Sequence, residues 1–275
     1  MNEAQFEIIA SLGTGATAEV FKARNQETDS FVALKRFSSF VSQDQEALQR
    51  LRDEVQILKA FNHPNVVKML GEHSLDAGFC LELELVEGSH LRDWMTKARN
   101  PLLEVDLWIL VQVARGLGAV HEKGIIHRDL KPENILISHI GEVKLSDFGL
   151  AKELNRLTMT RLGLLVGSLG YMAPEITEGE KACPQADLFS FGAVAYELLS
   201  GTAPITGETP QAILKKVMEP ITPLSQVCPH VPPRIGQLID QCLKTNKDER
   251  PESIWAVESE IMGYLHSTKL LPLCP

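Results

Sequence analysis

The sequence predicts an α+β protein, in which a small sheet carrying one helix is followed by a larger, mainly helical part. Three observations predict it. Up to residue 87 the apolar residues come in short or alternating runs broken by Gly, Asn and Asp. Beyond residue 88 they recur at steps of three and four over long segments. The chain has 275 residues, 44% hydrophobic and 23% charged, which suits one large domain or two smaller lobes with a buried core.

The elements follow in order. Phe6 to Leu12, Glu19 to Ala23 and Phe31 to Phe37 read as strands. Leu48, Leu51, Val55 and Leu58 form one apolar face of a helix from about Gln43 to Ala60, and Asn62-His63-Pro64-Asn65 ends it. Val66 to Leu70 and Gly78 to Leu85 add two strands, making a five-stranded sheet with one helix. The boundary between the halves falls at Glu87-Gly88-Ser89. In the helical half, Leu107, Leu110, Val111, Ala114, Leu117 and His121 share one face of Val105 to Lys123. Asp187 to Ser200 is an apolar helix with Gly201 placed to end it. Thr209-Pro210 is a cap and first-turn proline for Gln211 to Met218, and Arg234 to Leu243 and Pro251 to Leu265 are the last helices.

Composition excludes several classes. The net charge of −9, with neither half basic, argues against nonspecific binding to nucleic acid or anionic lipid. No apolar run is long enough to span a bilayer, and Met1 to Glu7 carries two acids and no basic residue, unlike a secretory signal. Cys80, Cys183, Cys228, Cys242 and Cys274 are odd in number and contain no C-x-x-C pair. A disulfide framework or zinc site is therefore not expected, and a reducing, cytoplasmic compartment is. Cys228 and His230 lie close in sequence, but two ligands do not make a metal site.

Four segments carry candidate chemistry. Gly13-Thr14-Gly15-Ala16-Thr17-Ala18-Glu19-Val20 joins two strands, and glycines there let backbone amides approach phosphate oxygens; a plain glycine hairpin is the alternative. Lys35 ends the apolar strand Val32-Ala33-Leu34, where a solvated strand end is the alternative. Glu54 lies on the helix near its apolar edge, where a carboxylate could fix a lysine for a phosphate. The fourth segment is His127-Arg128-Asp129-Leu130-Lys131-Pro132-Glu133-Asn134, followed by Asp147-Phe148-Gly149. Asn134 and Asp147 offer the hard oxygen ligands Mg²⁺ prefers, and Asp129 remains to accept a proton or hydrogen bond from a hydroxyl.

With Ala173-Pro174-Glu175, Asp187 and Arg250 in this order, the set resembles the eukaryotic-type protein kinase family of the serine/threonine class, with bacterial-like features, from about residue 6 to 265. The resemblance implies a bilobal fold: a small antiparallel five-stranded sheet plus one helix over residues 1–87, and a larger helical lobe over 88–275. It implies ATP with Mg²⁺, or Mn²⁺, as cofactor, and a Ser- or Thr-bearing protein as substrate. Leu12, Gly13, Gly15, Val20, Ala33, Leu136 and the gatekeeper-like Leu83 would surround ATP, with Glu84 to Val86 as the hinge. Lys35 would hold phosphates and pair with Glu54. Asp129 would orient the hydroxyl, Lys131 neutralise charge, and Asn134 and Asp147 hold the metal. Glu175 and Arg250 resemble a buried ion pair. Leu58, Met69, His127 and Phe148 resemble an apolar column anchored by Asp187.

Lys131 and Ser168 match the serine/threonine pattern. Arg128 would await a phosphate on the segment after Asp147, where Thr158 and Thr160 are the candidates for autophosphorylation and plain loop threonines are the alternative. There are departures. Ala18 replaces the third glycine, Phe189 stands where tryptophan is usual, and His90 where arginine-preferring kinases carry a carboxylate. Glu133 is a second such carboxylate and is present, so the resemblance half supports a preference for basic substrates. The rivals are a pseudokinase scaffold, which usually lacks the counterpart of Lys35, Asp129 or Asp147, and a lipid or small-molecule kinase. The sequence is silent on oligomeric state.

Overall fold

The computed structural model describes residues 5–15, 18–37, 55–56, 59, 61–75, 78–97, 102–148 and 169–268. Most of the helix expected over residues 43–60 lies outside them, as do residues 269–275. The described residues fall into two compact units that divide between Glu87 and Gly88.

The first unit is an antiparallel sheet of β1 (Phe6–Thr14), β2 (Ala18–Asn25), β3 (Ser30–Phe37), β4 (Met69–Leu75) and β5 (Gly78–Glu84), in the order β1-β2-β3-β5-β4. Phe6, Ala23, Val32, Leu34 and Cys80 form a core on one face. Asn25 folds the β2–β3 turn. Its Oδ1 accepts the N–H groups of Glu27 and Thr28, and Asp29 takes the left-handed conformation at φ 58°. The same Asn25 donates to buried Glu82 Oε1 at 2.8 Å, and His73 Nε2 lies 2.9 Å from Glu82 Oε2. The fourth strand differs from expectation. It runs from Met69 to Leu75, and Val66 makes only an isolated bridge. The apolar run Val66 to Leu70 suggested a strand, but the ladder forms through Glu72, His73 and Ser74 opposite Leu81, Cys80 and Phe79.

The second unit opens with a small antiparallel sheet of β6 (Gly88–His90), β7 (Ile135–Ser138) and β8 (Val143–Leu145), which the sequence pattern does not predict. Gly88 has to be glycine, because a Cβ there would lie 1.9 Å from the Ile137 carbonyl oxygen. The helices are α1 (Leu91–Lys97), α2 (Leu103–His121), α3 (Pro174–Thr177), α4 (Pro184–Ser200), α5 (Pro210–Val217), α6 (Leu224–Val227), α7 (Pro233–Cys242) and α8 (Ile254–Ser267), with 3₁₀ turns at Pro132–Asn134 and Lys247–Glu249. The helix α2 packs on α8, where Trp255 covers Gly118 so closely that a Cβ would meet the indole at 2.4 Å. Gln112 of α2 closes the β7–β8 turn by donating to Gly141 O and accepting from Val143 N–H.

The helix α4 is buried from Ala186 to Leu199, so its apolar residues surround it on all sides. It starts three residues before Asp187, because Pro184 supplies a pre-set first turn, and it ends at Gly201, φ 74°, whose N–H returns to Glu197 O. Thr209 caps α5 as expected, its Oγ1 accepting from Ala212 N–H at 3.2 Å. The last helix begins at Ile254, later than expected, since Ser253 is the residue that caps it.

Candidate functional site

The loop His127 to Asn134 is built around one buried carboxylate. Asp187, in the first turn of α4 and 1% exposed, accepts the N–H of His127 at 2.7 Å and of Arg128 at 2.9 Å, and its Oδ2 lies 2.8 Å from His121 Nε2. These bonds hold Arg128 at φ 66°, a conformation that costs a non-glycine residue about 1–3 kcal/mol and persists only when its surroundings enforce it. His127 is fully buried. Its Nδ1 faces Asp129 N–H and its Nε2 faces Ser146 O at 3.1 Å, which together select the neutral Nε2–H tautomer. Burial pushes this imidazole below its usual range, outweighing the pull of Asp187 and Asp129. The ring lies 4.7 Å from that of Phe148.

Asp129 meets two neighbours from the same loop. Lys131 Nζ donates to its Oδ2 at 3.1 Å, and Asn134 Nδ2 donates to its main-chain O at 2.7 Å and its Oδ2 at 3.1 Å. Asn134 is buried at the end of the 3₁₀ turn, and these bonds fix its amide with the nitrogen toward Asp129. Ser146 donates its N–H to Asn134 O at 2.9 Å and its Oγ at 3.2 Å, so the residue before Asp147 is tied to Asn134. Asp147 is itself left-handed at φ 55°.

Asn134 and Asp147 carry a side-chain carbonyl and a carboxylate, donor types that fit a hard divalent cation. Among the described residues no group of three or more His, Cys, Asp or Glu could hold a metal by itself, so the rest of the shell would come from phosphate and water oxygens. Leu136 lies on β7, opposite His90 and Lys144.

In the first unit, Gly13, Val20, Ala33, Lys35 and Leu83 lie on paired strands: Gly13 opposite Val20, Val20 opposite Lys35, Ala33 opposite Leu83. Gly15 N–H bonds Ala18 O at 2.8 Å across the β1–β2 turn, and Leu12 is half exposed. Glu19 holds Arg36 at 2.6 Å, and Lys35 Nζ lies 5.5 Å from the centre of the Phe37 ring. Glu84 donates its N–H to Lys68 O, which removes that N–H from the donors a ligand could use; Glu84 Oε1 accepts Lys68 N–H in return. Val86 is partly buried, and Met69 is buried on β4. Glu54, Leu58, Gly149, Thr158, Thr160 and Ser168 lie outside the described residues.

Glu175 and Arg250 form a two-pronged buried pair at 2.7 and 2.8 Å. Every N–H of this guanidinium has an acceptor: the Glu175 oxygens and the carbonyls of Lys244, Gln185 and Thr245. Phe189 packs beneath it with its ring centre 5.1 Å from Cζ.

Sequence reasoning missed a second cluster. Arg92 of α1 donates to Glu133 at 2.8 Å and to Glu197 of α4 and Tyr171 at 2.5 Å each, and the Tyr171 hydroxyl also donates to Glu197. Burial works against the Arg92 charge, but hydrogen bonds to Glu197 and Glu133 overcome it and the guanidinium is held charged. Four residues from four separate segments have no spacing that sequence could reveal.

Compared with known proteins, residues 6–262 match the protein kinase domain family. The chain is 32% identical over 268 residues to the serine/threonine-protein kinase PrkC of Bacillus subtilis, covering 97% of this chain and 41% of that protein. It is 34% identical over 248 residues to PknA of Mycobacterium tuberculosis, covering 88% and 57%. It is 32% identical over 269 residues to a probable serine/threonine-protein kinase of Clostridium perfringens, covering 98% and 39%. The chain thus spans well under two thirds of the length of these relatives. Its fold resembles the crystal structure of the PknI kinase domain of Mycobacterium tuberculosis, with a TM-score of 0.74, 23% identity and coverage of 96% and 97%. No described helix is long and apolar enough to cross a membrane. With the loop around Asp129, the buried Glu175–Arg250 pair and a match from residue 6 to 262, the chain belongs to the protein kinase domain family.

Proposed function

We propose that this chain is an ATP-dependent serine/threonine kinase that transfers the γ-phosphoryl group of Mg-ATP to hydroxyls of protein substrates, and that it autophosphorylates the segment after Asp147. The observation that carries the reading is the carboxylate of Asp129 in contact with both Lys131 Nζ and Asn134 Nδ2, on a loop whose strained Arg128 is fixed from α4. The names of the relatives, each called a serine/threonine-protein kinase, favour the same activity.

Phosphoryl transfer asks the protein mainly for positioning and charge neutralisation. Asp129 orients the substrate hydroxyl and accepts its proton or hydrogen bond. Lys131 is placed to neutralise charge as the phosphoryl group moves. Lys35 grips phosphates with Glu54 as its counter-ion, under the backbone of Gly13 to Val20. Leu12, Val20, Ala33, Leu83 and Leu136 sandwich the base, and Glu84 to Val86 supply main-chain groups to its edge. Asn134 and Asp147 would hold the divalent cation, which supplies charge neutralisation between the phosphates. Residues 1–87 and 88–275 form the two lobes of one domain. A reducing cytoplasmic compartment suits Cys80, Cys183, Cys228 and Cys242, none of which is in a disulfide.

The test is incubation with labelled ATP and a protein substrate, for the natural chain and Asp129→Ala, followed by phosphosite mapping. The expected result is phosphate on Ser or Thr of the substrate and on Thr158 or Thr160, with loss of about 10²–10⁴-fold in the variant. Nucleotide binding without transfer would point to a scaffold, and transfer to small molecules alone would point to a different substrate class. Full activity with Thr158 and Thr160 unmodified would remove the autophosphorylation step.

A further inference from the structure

We propose that the groove between α3, the end of α5 and the end of α7 is an interface between copies of this chain, and that it receives residues 269–275 of a neighbouring copy. The contact stands apart from phosphoryl transfer and does not rest on the kinase reading above.

The groove is a cavity of about 620 Å³ at the C-terminal end of α7. Its apolar lining is Pro174 and Leu243, which are buried, and Met218, Pro220, Ile221 and Pro223, which are exposed or half-buried. Met218 is 42% exposed, and Leu214, one helical turn earlier on α5, is 36% exposed, so the apolar surface continues onto that helix. The charges around it are unbalanced. Glu175 is neutralised by Arg250, and Glu180 by Lys247, whose Nζ lies 2.6 Å away. Glu178, Asp240 and Glu249 then face a single lysine, Lys244. The occupant that complements this lining is an apolar segment carrying positive charge. Glu175, Lys244 and Thr245, which together hold Arg250, all line the groove, so an occupant also shields that buried pair from water.

Residues 269–275 have that chemistry. Lys269 is followed by Leu270, Leu271 and Leu273, with no carboxylate among the seven. Three leucines in so short a segment gain from burial, and Pro272 and Pro275 lack N–H groups, which suits docking through side chains rather than strand pairing. The path of α8 directs the segment to another copy. Arg250, four residues before Ile254, donates to the carbonyls of Lys244 and Thr245, so α8 starts beside the groove end of α7. Midway along α8, Glu260 accepts from Arg234 Nε at 2.6 Å, at the opposite end of α7. The two helices therefore run antiparallel, and α8 carries the chain away from the groove. The ten residues of α7 span about 15 Å, so the segment leaves Thr268 at least about that far from its own groove. Seven extended residues span at most about 25 Å, so only the tip could return, leaving Lys269 remote from the carboxylates. In a neighbouring copy the leucines and Lys269 can engage together, and two copies that exchange segments close into a symmetric pair.

The experiment is sedimentation velocity on the whole chain under reducing conditions, across about 1–300 µM. It compares the natural chain, Glu178→Lys, Lys269→Glu, Leu271→Asp and an equimolar mixture of the first two variants. Glu178 is exposed and residues 269 and 271 lie beyond the last described helix, so none of the changes removes a core contact. The natural chain is expected to dimerise with a Kd of about 10–100 µM and to show a Tm that rises with protein concentration. E178K, K269E and L271D are each expected to weaken association by about tenfold or more. The mixture of E178K and K269E is expected to return within about threefold of the natural Kd, because each segment then meets a groove of opposite charge. A natural chain that stays monomeric throughout would overturn the proposal. So would association that all three variants leave intact, which would place the contact on another surface, and so would a mixture that associates no better than its components.

Discussion

Asp187 Oδ1 accepts the N–H of Arg128 at 2.9 Å while Arg128 stands at φ 66°, one residue before Asp129. A helix that starts 56 residues later in the chain therefore sets the backbone of the residue next to the proposed catalytic carboxylate. In Asp187→Asn one acceptor oxygen becomes an NH₂ group facing backbone donors, which leaves at least one of them unsatisfied. We expect a loss of about 1–3 kcal/mol in urea unfolding. We also expect a fall of about tenfold or more in kcat, because Asp129 loses its fixed orientation. Unchanged stability and rate would show that Arg128 holds its conformation without the carboxylate.

The Glu175–Arg250 pair has no access to water on the Arg side, where the side chain is 0% exposed. Arg250→Met leaves Glu175 as a buried, unpaired charge, so unfolding experiments should record a loss of about 3–5 kcal/mol. Adding Glu175→Gln removes that charge and should recover part of the loss. A double variant as damaged as the sum of its parts would mean that the two residues do not act as a pair. Phe189 packs against the guanidinium at 5.1 Å, so in this chain a phenyl ring supports Arg250 from below.

The parts that were legible from sequence share a physical reason. Residues such as Leu107, Leu110, Leu117 and those of α4 repeat a period long enough to register, and Thr209-Pro210 and Gly201 mark helix ends through local backbone chemistry. The string from His127 to Asn134 is contiguous, so its chemistry could be read directly. The β6–β7–β8 sheet was not legible, because strands of three or four residues carry no period and Gly88 meets Ser138 from fifty positions away. The left-handed Arg128 and Asp147 gave no usable signal either, since arginine rarely takes a positive φ and aspartate's enrichment there is too slight to single out one residue among many. The Arg92 cluster was hidden for a different reason: its four members become neighbours only after folding.

Asn134 orients its amide through two bonds from the same nitrogen to Asp129. In Asn134→Asp a carboxylate oxygen would face the Asp129 main-chain carbonyl and its carboxylate, converting two attractions into repulsions. On the kinase reading, transfer should fall by about 10²-fold or more, with the half-saturating Mg²⁺ concentration displaced from its natural value. Asn134→Ala removes the same bonds without adding charge and should be the milder change. Equal effects would mean that repulsion between the introduced carboxylate and Asp129 contributes nothing.

Asp106 offers a pH test that is independent of catalysis. It lies in the first turn of α2, 4% exposed, with the indole of Trp94 beside its carboxyl group. Burial raises its carboxyl to about 7, with Trp94 drawing it only partly back. The folded chain thus keeps a proton that the unfolded chain releases near pH 4, so this group lowers stability progressively as pH rises from about 4 to about 7. His127 acts in the opposite direction. Its lowered pKa supports the fold above about pH 6.5, and that support fades as pH falls. Comparing Asp106→Asn with the natural chain cancels the His127 contribution and isolates Asp106. The two should unfold at similar urea concentrations near pH 4, and the variant should gain steadily to an advantage of about 1–3 kcal/mol at pH 8. A gap that stays constant from pH 4 to pH 8 would mean that Asp106 ionises in the folded chain as it does in water.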